Sequence, residues 1–282
     1  MSFKSLVESI ESSSQRIASA LSKVIRDCNN IAIVYCGIMK GVAQHLFTVL
    51  KLVNPKLNIV TMNGDLFHNL LLPYISESLD LVIVYGGLRA ESCILRVSTA
   101  LRLIGPEKGV IISSRIAPNI LSRIPMETVV IDHYAYRASM IHGNLRIGVE
   151  LGSSNPRILR LKSELVLTPH LVSDIVERYR DVEASIRDGS TVIVFTESMR
   201  SVAEELAEQG YKCLDVEAAR LRPPRNAVLL IYSSMEDHSV NETVLTMMRE
   251  GVGRVSRFRI DTDPLSAPLY AHLFLSAVLH RG

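Results

Sequence analysis

Charge of either sign in excess is the first thing the sequence lacks: of 282 residues, 31 are Lys or Arg and 29 Asp or Glu, a formal net charge of +2. That balance argues against an extended cationic surface for nucleic acid or a membrane and favours small metabolites or protein partners. Long apolar runs are missing too. None approaches the ~20 residues that span a bilayer. The N-terminal MSFKSLVESIESSSQ alternates polar and apolar residues where a signal peptide would have an apolar block, so a cytoplasmic location is expected. Cysteine is scarce. Cys28, Cys36, Cys93 and Cys213 are widely spaced, with no CxxC pair and no metal-ligand spacing, which predicts reduced, mostly buried thiols and no metal site. GxGxxG, P-loop and GxSxG motifs are absent, so dinucleotide, nucleoside triphosphate and serine-hydrolase chemistry lose their usual support, and no cofactor is expected.

What the chain does have is 48% hydrophobic residues, enough for a sizeable core in one large or two medium domains. The periodicity predicts an amphipathic helix over 3–28, then a strand at 31–35, a turn bracketed by Gly37 and Gly41, and a helix stopped at Asn54-Pro55. Strands follow at 57–62, 81–85, 110–114 and 128–132, with helices at 66–75 and 89–104. Apolar strands alternating with amphipathic helices imply α/β architecture with a mostly parallel sheet covered on both faces. Residues 134–187 read as a connector of one or two helices, broken near 152–156 and at Pro169. The alternation then restarts, with strands at 191–195, 212–216, 227–232 and 254–260 and helices at 198–209, 236–249 and 264–280. Two α/β domains, 1–152 and 153–282, are expected.

An internal repeat supports that division. VYCGIMKGVA at 34–43 is matched 160 positions on by VFTESMRSVA at 194–203, and IVYGG at 83–87 by LIYSS at 230–234.

The stretch DLVIVYGGLRAES at 80–92 is a buried strand, a glycine turn and a helix start. Such a junction presents free N–H groups and a positive dipole end to small anions. In an open parallel sheet, ligands settle beyond the carboxyl ends of the strands where the strand order reverses. That crevice would gather Gly37, Lys40, Gly41, Gly86, Gly87, Arg89, Ser92, Ser113, Ser114 and Arg115: cations and hydroxyls for an anion, glycines for close approach. The second half collects 196–201, 233–236 and 261–263, a hydroxyl-rich and more acidic set. Scattered histidines (His133, His142, His170, His238, His272) declare no acid–base pair, and Glu217 follows a strand.

The long first helix, the strand and loop at 31–37 and DLVIVYGGLRAES resemble the SIS (sugar isomerase) domain family, and the likeness covers nearly the whole chain. The end of the sequence, DTDPLSAPLYAHLFLSAVL, is similar to the closing helix of that family's glucosamine synthase isomerase module, and archaeal phosphoglucose/phosphomannose isomerases share the two-domain plan. The resemblance implies two tandem flavodoxin-like domains, a small phosphorylated sugar as ligand and a homodimer. The family's loop Ser-Gly-x-Thr-x-Glu-Thr falls on Gly86, Gly87, Leu88, Arg89, Ala90, Glu91 and Ser92, so the Ser has become Gly and the Thr has become Arg. The serine often found in the first-strand loop is Lys40. Arg220 stands where the family's catalytic glutamate would, its histidine is absent, and Glu217 is the nearby substitute base. Three readings stay open: an aldose–ketose isomerase using Glu217, a non-catalytic phosphosugar sensor or regulatory protein, and a scaffold whose crevices are filled by side chains.

Overall fold

The computed structural model describes residues 2–152 and 155–279. The described residues form two compact units, 8–166 and 167–279, the latter joined by 2–7. The expected division between 152 and 153 falls beside residues 153–154, which lie outside the described set.

The first unit begins in α1 (Phe3–Ile25), whose stripe of Ile10, Ile17 and Leu21 is fully buried. It continues with β1 (Asn30–Cys36), α2 (Lys40–Val53) and β2 (Asn58–Asn63). Asp80 fastens the start of β1, its carboxylate accepting the N–H groups of Asn29 (2.7 Å) and Asn30 (2.8 Å). The helix expected at 66–75 is irregular: α3 (Gly64–Leu66), a π-helical turn (Phe67–Leu71), α4 (Leu72–Ile75) and a 3-10 turn (Ser76–Ser78). Pro73 lacks the N–H that a regular ladder needs there. Then come β3 (Leu81–Gly86), α5 (Glu91–Ile104), β4 (Lys108–Ser114), α6 (Pro118–Leu121), β5 (Glu127–Ile131), α7 (Tyr136–Leu151) and α8 (Pro156–Glu164). The five strands are all parallel, in the order β2-β1-β3-β4-β5. Every residue of β3 is buried, as a strand covered on both faces requires.

The second unit holds α9 (Pro169–Arg178), α10 (Arg180–Arg187), β6 (Val192–Phe195), α11 (Arg200–Glu208), β7 (Cys213–Asp215), α12 (Val216–Leu221), β8 (Val228–Ser233), α13 (Asp237–Arg249), β9 (Val255–Ile260) and α14 (Ala267–Leu279). Its four parallel strands run β7-β6-β8-β9. On one face Tyr179, Phe258 and Phe274 pack together, Tyr179 edge-on to Phe258 with ring centroids 4.8 Å apart and Phe258 tilted against Phe274 at 5.0 Å.

The connector departs most from expectation, because 134–187 contains four helices, α7 to α10. α7 is buried almost all round, from Tyr136 to Gly148, so it carries no amphipathic period. The break between α9 and α10 at Tyr179 uses neither glycine nor proline.

Candidate functional site

The strand order of the first sheet reverses between β1 and β3, which places the crevice at their carboxyl ends. Register aligns Cys36 with Gly86 and Gly86 with Ser113, so three strand ends finish level. Two loops rise from them. The first turns at Gly37 (φ 74°) and passes into α2 at Lys40, half-buried, and Gly41, buried. The second folds back on the first, the Gly87 N–H donating to the Cys36 carbonyl at 3.1 Å. Arg89 is exposed and, at φ 59°, is the one described non-glycine residue with positive φ.

Packing leaves no room for a side chain at Gly86. A β-carbon at Gly86 would collide with Ile94 and with the Ser113 hydroxyl, which itself donates to the Gly86 carbonyl at 3.3 Å. The other expected residues spread around this rim. Ser92 is exposed in the first turn of α5, whereas Ser113 and Ser114 are buried, and the Ser114 hydroxyl makes no hydrogen bond. Arg115 is exposed and paired with Asp132 at 3.0 Å, which offsets its charge. Glu91 turns away to accept the Ala117 N–H at 2.7 Å. Sequence reasoning passed over Arg137, on the aperiodic α7: it is 1% exposed and its guanidinium donates to the Ile38 carbonyl at 2.7 Å, beneath the first loop.

The thiols are not all reduced, contrary to the expectation from the sequence. Cys36 and Cys93 form a disulfide, with Cα atoms 5.8 Å apart and a sequence separation of 57. Parallel register brings β1 beside β3, and the glycine turn carries the first turn of α5 back over Cys36; spacing along the chain gives no sign of it. Cys28 and Cys213 are free. Burial pushes the Cys213 thiol up to about 11.

In the second unit the equivalent crevice lies at the ends of β6 and β8, and it is filled from within. The Glu236 carboxylate accepts the Thr196 hydroxyl (2.8 Å), the Ser198 hydroxyl (2.7 Å) and the Ser233 N–H (3.0 Å), with Ser233 and Glu236 forming a capping box. Hydroxyls that suit an anion are therefore satisfied by a side chain. Asp261 is drawn off by Arg178 and Arg259.

Glu217 sits in the first turn of α12, exposed and 3.6 Å from Arg220. Arg220 is committed elsewhere, donating to the Thr243 hydroxyl (2.7 Å) and the Ser239 carbonyl (2.6 Å) and so tying α12 to α13. A buried cluster that the sequence left unremarked joins α11 to α14: His272 Nδ1 meets Glu205, and its Nε2 lies 3.0 Å from the Ser201 hydroxyl. The i, i+4 spacing of Ser201 and Glu205 was the available signal.

No family profile matches the sequence, and no curated protein matches it. Solved structures do match. A candidate phosphosugar isomerase from Bacillus subtilis aligns with a TM-score of 0.68 at 11% identity, covering 96% of this chain and 93% of that one. Tagatose-6-phosphate ketose/aldose isomerase from Escherichia coli aligns at 0.60 and 12% identity, covering 97% and 89%. The C-terminal domain of glucosamine-fructose-6-phosphate aminotransferase from Francisella tularensis aligns at 0.62 and 8% identity, covering 97% and 94%. At these identities the chain shares the sugar isomerase fold with them, and function rests on the site.

Proposed function

We propose that the protein binds a phosphorylated sugar in the crevice of its first unit. The observation that carries this reading is the pair of loops at the β1/β3 reversal, where the exposed Gly37 allows close approach and Lys40 and Arg89 supply positive charge. Cations replace hydroxyl donors, with Arg89 as fork and Lys40 as point charge. The solved structures that share the fold include proteins named for sugar phosphates, which supports the same ligand class. Ser92 and the buried Ser113 and Ser114 complete the proposed cradle, and Arg115 contributes only when Asp132 releases it.

The catalytic form of the proposal makes the protein an aldose–ketose isomerase, with Glu217 taking the proton from one sugar carbon and returning it to the next. Its exposed carboxylate, in the helical turn after β7, is free to move between the Arg220 pair and a substrate. A second reading, a non-catalytic phosphosugar sensor, is favoured by a specific feature: Arg220, at the position of the family's glutamate, is locked onto α13. Incubation with glucose 6-phosphate, mannose 6-phosphate and glucosamine 6-phosphate, followed by NMR, separates the two. Isomerisation lost in Glu217→Gln with binding retained supports the enzyme; binding without isomerisation supports the sensor.

The two units are taken as tandem domains, and a homodimer belongs to the same reading. Leu66, Leu70, Tyr74, Leu103 and Ile104 are exposed beside an apolar groove of about 520 Å³ on the first unit, a surface suited to burial in an assembly. Light scattering on the purified chain tests it.

A further inference from the structure

The disulfide joins the start of the first crevice loop to the end of the second. Cys36 is the last residue of β1 and immediately precedes Gly37; Cys93 lies in the first turn of α5, just after Ser92. Between them the chain passes through both candidate ligand loops, and a single backbone hydrogen bond, Gly87 N–H to Cys36 carbonyl, runs alongside the covalent link. A third strand end closes over it: a β-carbon at Gly64, in the turn after β2, would collide with both sulfur atoms. Three strand-end turns thus meet at one bond. Cys36 is fully buried, while Cys93 keeps 9% of its surface. The two remaining cysteines lie outside this crevice, and burial raises the pKa of both thiols, which disfavours the reactive thiolate.

We propose that Cys36–Cys93 is a thiol–disulfide exchange site that sets how tightly the two crevice loops are held together. This rests on the phosphosugar reading for its consequence, though not for its chemistry. The reactant class is a dithiol, small or protein-borne. Its thiolate attacks the sulfur of Cys93, the less buried of the two residues, the Sγ–Sγ bond breaks, and Cys36 leaves as a thiolate that takes up a proton. The reductant's second thiol then displaces the mixed disulfide, releasing Cys93 as a protonated thiol and the reductant as its own disulfide. Two electrons and two protons pass to the protein.

In the oxidised form, α5 is tethered at its first turn to the end of β1. The N–H groups of that turn and Arg89 are then held beside the Gly37 loop, a pre-organised cradle for a phosphate. In the reduced form the sulfurs separate to ordinary contact distance and the loops part. The oxidised protein therefore binds phosphate more tightly.

The test uses the full chain, oxidised in air or reduced with dithiothreitol, with Cys93→Ser and Cys36→Ser as redox-blind versions. Thiol counting after denaturation in the absence of reductant is expected to find Cys28 and Cys213 alone. Hydrogen exchange at 36–41 and 86–93 is expected to speed up by about tenfold or more on reduction, with 192–279 unchanged. Both variants are expected to behave as the reduced form with or without dithiothreitol. Affinity for inorganic phosphate and glucose 6-phosphate is expected to fall about fivefold or more on reduction. Four free thiols before reduction, or loop exchange indifferent to dithiothreitol, overturns the proposal; so does equal affinity in the two forms. Loops that respond while neither form binds either probe overturn the phosphosugar reading and leave the exchange site standing.

Discussion

Arg89 holds a backbone conformation, φ 59°, that costs a residue with a side chain about 1 kcal/mol relative to glycine. Glycine precedes it at two positions, yet the strained position itself carries a cation. Replacing it separates the two roles. Arg89→Gly is expected to raise stability by about 0.5–1 kcal/mol in urea denaturation while phosphosugar affinity falls. A second residue sets a pH limit. His142 is fully buried, and burial, aided by the nearby Arg146 charge, lowers its pKa from 6.5 to about 4. The folded state thus keeps it neutral while the unfolded chain takes up a proton. Its contribution is intact above pH 6.5 and is lost as pH falls toward 4, by about 3 kcal/mol. Denaturation at pH 7, 5.5 and 4.5 is expected to show the stability difference between wild type and His142→Gln shrinking as the solution is acidified. At this scale the sequence was partly legible. The glycines and cations of the loops announced themselves by type and order, whereas Arg137 and His272 owe their positions to helices buried on every side, where no polar stripe marks them.

Elements explain how the same junction has two outcomes. In both units a buried strand runs into a turn and a helix at the point of order reversal. In the first unit the turn is a buried glycine pair followed by the exposed Leu88 and Arg89, and no carboxylate folds back into it. In the second it is Ser233, Ser234 and then Glu236, which folds back onto Thr196 and Ser198. Glu236→Gln is expected to destabilise the protein by about 1–3 kcal/mol, because a neutral amide oxygen replaces the charged acceptor shared by three donors, and to leave phosphosugar affinity unchanged. A loss of phosphosugar binding in that variant would move the ligand site to the second unit. Strand positions were readable because fully buried parallel strands are unbroken apolar runs, as in β3 and β8. The disulfide was not, since it depends on strand order, and strand order is fixed by packing between segments far apart in sequence.

Across the whole molecule, two parallel sheets and their helices reproduce the sugar isomerase fold over 96–97% of the chain while retaining only 8–12% identity with the structures compared. Such divergence is compatible with retention of core pattern and strand order, because many apolar combinations fill the same layers. A binding site tolerates less, and at two positions where the resemblance read from the sequence implies hydroxyls this chain carries Lys40 and Arg89. No described helix is long and apolar enough to cross a membrane. The central claim is that these cations hold a phosphorylated sugar, and calorimetric titration of the full chain and of Arg89→Ala with glucose 6-phosphate, mannose 6-phosphate and glucosamine 6-phosphate tests it most directly. The account predicts binding of at least one sugar by the wild type and an affinity at least about tenfold weaker in the variant, the loss of one charge-assisted contact. No binding by the wild type, or equal affinity in the two proteins, would contradict it.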